Sequence, residues 1–155
     1  MRIASWNVNS IRARLEHLTD WLRRASPDVV CMQETKVDDE KFPVEALGDA
    51  GYAVVYAGQK SYNGVAIAAR FGLPIQDVKK DLDGDSEDTA RRLIAATIEG
   101  VRIVNVYVPN GQVVGTKPFV YKLLWLERLR AELAARHATT EPVLVCGDFN
   151  VAPAT

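Results

Sequence analysis

Short apolar runs alternate with amphipathic stretches along the whole chain. Residues 2–6, 29–33, 52–57 and 65–70 read as strands, each rich in Val, Ile, Ala or aromatic side chains. Leu15, Leu18, Leu22 and Ala25 recur at helical spacing, and Pro27 ends that helix. A short helix is predicted over residues 42–50. Residues 93–98 and 101–108 flank Glu99-Gly100, a two-residue connection suited to a β-hairpin. A long helix is predicted over residues 119–136, with Leu123, Leu126, Leu129 and Leu133 toward the core. The last strand is expected at residues 143–146. Residues 81–88 form a polar, acidic loop. Interleaved strands and helices predict an α/β layered fold, and the hairpin requires a mixed rather than purely parallel sheet.

The 155 residues fit one domain, taken as 1–155, and 48% hydrophobic with 25% charged residues excludes disordered or fibrous classes. No apolar run reaches the ~18–20 residues of a membrane span, and no secretory signal is visible. Cys31 and Cys146 lie in apolar runs with no C-x-x-C pair, so buried thiols rather than zinc ligands are expected, in a reducing, cytoplasmic compartment. The net charge of −1 excludes a strongly basic coat, yet its distribution is uneven. Residues 1–36 carry six basic and four acidic groups, and residues 117–136 carry five basic and two acidic. A locally positive face remains open to a phosphate backbone, as does a plain solvated helix surface.

The informative pattern is a polar group at the carboxyl end of four apolar runs: Asn7, Glu34, Tyr107, and the pair Asp148 and Asn150. Strand ends are rigid points from which side chains can be aimed at a shared site. Carboxylate and amide oxygens are hard donors that suit Mg²⁺, with Mn²⁺ also acceptable. Each position alone also reads as a cap, turn or strand residue. Residues 111–117 have the wrong spacing for a phosphate loop, and residues 81–92 the wrong spacing for a calcium loop. His17 and His137 stand isolated.

The motifs Ala4-Ser5-Trp6-Asn7-Val8-Asn9-Ser10-Ile11-Arg12, Cys31-Met32-Gln33-Glu34-Thr35-Lys36, Val106-Tyr107-Val108-Pro109-Asn110-Gly111 and Gly147-Asp148-Phe149-Asn150-Val151-Ala152-Pro153 stand in series. Together they resemble the exonuclease III family of abasic-site endonucleases and 3′-exonucleases. Tyr62-Asn63-Gly64-Val65-Ala66 and Arg91-Arg92-Leu93 add to the likeness. The resemblance implies a four-layered α/β sandwich and Mg²⁺-dependent cleavage 5′ to abasic sites, with 3′-exonuclease activity on the same centre. It implies that Asn7 and Glu34 belong to the metal environment, with Asp148 and Asn150 beside them. Asp148 would orient and deprotonate the attacking water, Asn150 would position Asp148 or a phosphate oxygen, and Tyr107 would contact the scissile phosphate. Arg12, Lys36, Tyr62, Asn63 and Asn110 would contact the DNA backbone.

Family members continue beyond the Gly-Asp-Phe-Asn motif. The sequence is therefore expected to represent about the first half of the fold, exposing the inner face of its sheet. Completion by further polypeptide, or self-association, follows from that expectation. A non-catalytic DNA- or metal-binding fragment and a phosphatase or phosphodiesterase of the same superfamily are the alternatives.

Overall fold

The computed structural model describes residues 1–83 and 88–152; residues 84–87 of the expected acidic loop, and Pro153 of the last motif, lie outside the described residues. The elements run β1 (Ile3–Asn7), α1 (Leu15–Ala25), β2 (Val29–Gln33), a 3-10 turn (Asp39–Lys41), α2 (Val44–Asp49), β3 (Tyr52–Ala57), β4 (Val65–Arg70), β5 (Gln76–Lys80), β6 (Leu93–Ile98), β7 (Val101–Tyr107), α3 (Lys117–Arg136) and β8 (Val143–Asp148). The strands form two four-stranded mixed sheets, ordered β1-β2-β4-β3 and β5-β6-β7-β8. In each, one pair at the end is parallel: β1 with β2, and β7 with β8.

Period-two alternation separates the layers. In β2, Val30 and Met32 face α1 and α2, packing with Leu18, Leu22 and Leu47. Val29 and Cys31 point the other way, into a second core with Ile67, Ile94, Ala96 and Ile103. A third core places Leu93, Val104 and Val106 of the second sheet against Trp125 and Leu129 of α3. Three cores between four layers, helix–sheet–sheet–helix, make the sandwich that the resemblance implies.

The inner sheet faces are therefore not exposed as expected: each sheet is covered by the other. The strands left half-buried along their length are β8 and most of β1, at the open edges.

Local chemistry sets the boundaries. Ser26 adopts a left-handed conformation at the end of α1, its N–H donating to the Leu22 carbonyl at 2.9 Å before Pro27. Glu99 and Gly100 both have positive φ (50° and 74°), the requirement of a tight hairpin between β6 and β7. Leu123 is 51% exposed, contrary to the leucine pattern. Leu126, Leu129 and Leu133 do turn to the core as expected, joined by Trp125, and on the buried face lies Lys122.

One polar cluster ties the sheets together. The Gln33 side-chain amide donates to Asn105 Oδ1 at 2.7 Å, and Asn105 Nδ2 donates to the carbonyls of Met32 and Ala66, each at 2.9 Å. Gln33 immediately precedes Glu34, and Asn105 lies two residues before Tyr107, so this staple fixes the relative placement of the strand ends. Among the described residues, no helix is long and apolar enough to cross a membrane.

Candidate functional site

Because β1 and β2 are parallel, as are β7 and β8, two pairs of carboxyl ends are delivered together. The registers place Asn7 beside Gln33 and Tyr107 beside Asp148. The β1 and β8 edges lie on the same side of the sandwich, so residues 141 positions apart meet: Asn7 Nδ2 donates to Asp148 Oδ2 at 2.8 Å. The same nitrogen donates to Glu34 Oε1 at 2.7 Å. One amide thus bridges two carboxylates across the two sheets.

Glu34 has further partners. Lys36 Nζ lies 2.8 Å from its Oε2 and also donates to Asn9 Oδ1 at 2.6 Å. The Tyr107 hydroxyl feels the same carboxylate. Burial alone works to raise the Glu34 pKa and is the largest single influence, but hydrogen bonds from Asn7, Lys36 and Tyr107, with the Lys36 charge, outweigh it. The net direction is downward, so Glu34 is held as an anion. Burial, then the hydrogen bond to Glu34, pushes the Tyr107 hydroxyl up to about 12, and it stays protonated as a donor at neutral pH.

Asp148 is held on both oxygens. The Asn150 N–H donates to Oδ1 at 2.9 Å, opposite the Asn7 contact on Oδ2. The Asn150 side-chain amide turns instead to the Val108 carbonyl at 2.8 Å. Gly147 permits the approach of β8 to β7: at its φ of 137°, a Cβ would collide with the Val106 carbonyl.

Tyr107 is braced by Arg92, whose guanidinium lies 4.9 Å from the ring centroid. Its Nη1 donates to the Tyr107 carbonyl at 3.3 Å. Arg92 entered the sequence reading only within a motif, and no spacing rule marks it as a ring partner.

Of the five residues assigned to a backbone-contacting role, Lys36 reaches the cluster directly. Asn63 joins through its carbonyl, which accepts the Lys36 N–H at 3.0 Å. Arg12, Tyr62 and Asn110 are exposed, and among the described residues they make no hydrogen bond to these side chains. Arg12 lines a groove with Glu16, Thr19 and Asp49 on the helical face of the first sheet. His137 pairs with Glu141 at the far end of α3. The two cysteines are free, Cys31 buried and Cys146 half-buried.

The donor chemistry fits a hard cation. Glu34 and Asp148 supply two carboxylates, within the one or two that Mg²⁺ takes from protein while keeping water for its other positions. Among the described residues, no group of three or more His, Cys, Asp or Glu gathers at a metal-holding distance.

Residues 4–155 match the model of the Endonuclease/Exonuclease/phosphatase family. The chain is 32% identical over 158 residues to the exodeoxyribonuclease III of Haemophilus influenzae, covering 99% of this chain and 58% of that relative. An AP endonuclease structure from Archaeoglobus fulgidus superposes with a TM-score of 0.93 at 44% identity, covering 99% of this chain and 59% of that one. A 3′ phosphatase from Neisseria bound to a product DNA hairpin gives 0.90 at 41% identity, with the same coverages. The chain thus spans somewhat over half the length of these relatives.

Proposed function

Since the chain belongs to the endonuclease/exonuclease/phosphatase family, we propose that residues 1–155 form the N-terminal portion of one Mg²⁺-dependent nuclease domain, which cleaves DNA 5′ to abasic sites and trims 3′ ends. The observation that carries this reading is the Asn7 amide bridging Glu34 and Asp148, with Tyr107 paired opposite Asp148 in the neighbouring strand. Four strand ends from two sheets converge on one carboxylate pair, which no single cap or turn requires.

Glu34 and Asp148 would hold the cation, with Asn7 orienting both carboxylates. When bound, Mg²⁺ supplies Lewis-acid neutralisation of charge on the phosphate and the leaving oxygen. Asp148, oriented by Asn7 and by the Asn150 N–H, accepts a proton from the attacking water. Tyr107 keeps its proton and presents it to a phosphate oxygen, a fixed donor aimed at developing charge. Lys36 places a cation beside the phosphate path, and Arg12, Tyr62, Asn63 and Asn110 supply more distant backbone contacts. Each phosphate neutralised by such contacts makes binding weaken as salt rises. Polypeptide beyond this span, or a second copy, covers the open edges at β1 and β8. The free thiols support a reducing, cytoplasmic setting.

The test is a duplex with one abasic analogue, incubated with the chain in Mg²⁺ and then in EDTA, alone and with a polypeptide completing the edges. Incision 5′ to the lesion that EDTA and Asp148→Asn each abolish supports the proposal. Cleavage that survives EDTA, or none even on completion, contradicts it. The likeness to a 3′ phosphatase favours a second reading, in which the same centre removes 3′ phosphates. A 3′-phosphorylated duplex in the same assay separates the two.

A further inference from the structure

Lys122 stands where α3 calls for an apolar side chain. Residues 122, 125 and 129 share one helix face (i, i+3, i+7), and Trp125 and Leu129 enter the core beneath the second sheet. Lys122 goes inward with them and is only 8% exposed. Withdrawing an ammonium from water is costly unless it is paired. Among the described residues, its partners are backbone carbonyls: Nζ donates to Asn150 O at 2.6 Å and to Phe149 O at 3.2 Å.

Both carbonyls belong to the two residues that follow Asp148. Asn150 sits there in the left-handed region, at φ 48°, which asparagine adopts more readily than other side chains with a Cβ. The Asn150 N–H shares one planar peptide unit with the Phe149 carbonyl, so the Lys122 contact on that carbonyl and the N–H contact on Asp148 Oδ1 fix the same plane. The Asn150 side-chain amide, bonded to Val108 O, anchors the segment to the end of β7. Among the described residues no carboxylate pairs with the buried charge of Lys122, and an apolar residue of similar length would fill the same space without desolvation.

We propose that Lys122 is a positioning residue for the candidate site. Its ammonium clamps the carbonyls of Phe149 and Asn150, holds the peptide plane that joins these two residues, and thereby fixes the Asp148 carboxylate with Oδ1 on the Asn150 N–H and Oδ2 on Asn7. Its effect on turnover rests on the nuclease reading given above; the clamp itself does not.

Lys122→Met keeps the stem and removes the charge, and Lys122→Arg keeps the charge. Amide hydrogen exchange by NMR and steady-state cleavage of the abasic duplex are measured on the parent and both variants. In Lys122→Met, exchange protection at the Asn150 N–H falls by about tenfold, the scale of a lost charge-assisted hydrogen bond, while α3 amides keep theirs. Lys122→Arg restores most of that protection. In the cleavage assay kcat falls while KM stays within about twofold, the pattern of a lost transition-state contact. Unchanged protection at Asn150, or an equal loss along α3, overturns the proposal, the latter because a packing role alone produces it. If the parent cleaves nothing even with a polypeptide completing the edges, the nuclease reading fails and the exchange data alone decide for or against the clamp.

Discussion

Replacing Asn105 by alanine removes the staple that holds the two sheets in register beside the site. Three buried hydrogen bonds disappear: one from Gln33 and two to the Met32 and Ala66 carbonyls. Gln33 is not stranded, because its amide still reaches Ser5 Oγ and the Cys31 carbonyl, both at 3.1 Å. At a net of about 1 kcal/mol for each buried bond, the expected loss is about 3 kcal/mol. For a domain of this size that corresponds to a drop in Tm of roughly 6–12 °C. Asn105→Leu separates hydrogen bonding from packing: it restores side-chain volume but leaves the same carbonyls unpaired, so it is expected to be no better than alanine. Urea denaturation of the three proteins, with m unchanged, reads the difference directly. A loss below about 1 kcal/mol for alanine, or a leucine variant as stable as the parent, would show that the staple contributes nothing and that apolar packing alone sets the register.

Three further outcomes follow from the geometry. Asp28 is held below the ordinary aspartate range first by the Arg2 backbone N–H and also by Arg70, so its folded pKa is depressed and its stabilisation is present at neutral pH and lost as pH falls below about 3.9. Asp28→Asn should therefore flatten the acid limb of a Tm-against-pH curve, and an unchanged limb would contradict this. Gly147→Ala should destabilise by more than about 2 kcal/mol, because β8 must withdraw from the Val106 carbonyl, and a thermal melt checks it. Tyr107→Phe should lower cleavage of an abasic duplex by about 10²-fold while leaving stability within about 1 kcal/mol, since only a donor at developing charge is lost; parent-like turnover would remove Tyr107 from the mechanism.

Most of the fold is legible because buried strands are continuous apolar runs. The boundaries of β2, β3, β4 and β6 coincide with those runs. The strand β5 escapes detection because it is a largely exposed edge, Gln-Asp-Val-Lys-Lys, whose pairing supplies what its side chains do not announce. On α3 the sequence places Leu126, Leu129 and Leu133 correctly but not Leu123, because leucines surround the helix and which of them turn inward depends on the sheet beneath. At the site, the strand-end polar residues are visible in sequence, since rigid ends followed by polar side chains stand out against apolar runs. The bridging role of Asn7 is not, because it joins residues 141 positions apart through two sheets. Lys36 illustrates the same limit. Its position in a motif suggests a backbone contact, and its pairing with Glu34 in this structure could not be read from the sequence. Gln33 and Asn105 look like lone polar interruptions of apolar strands until the sheets are stacked.

The most direct test of the shared site is titration of the isotopically labelled chain with Mn²⁺, following paramagnetic broadening of its NMR resonances. Signals of Asn7, Glu34, Tyr107, Asp148 and Asn150 should broaden first and together, and Glu34→Gln should abolish the effect. Broadening centred on the acidic residues near Asp81, or spread without focus over the surface, would mean that the bridged carboxylates do not bind the cation.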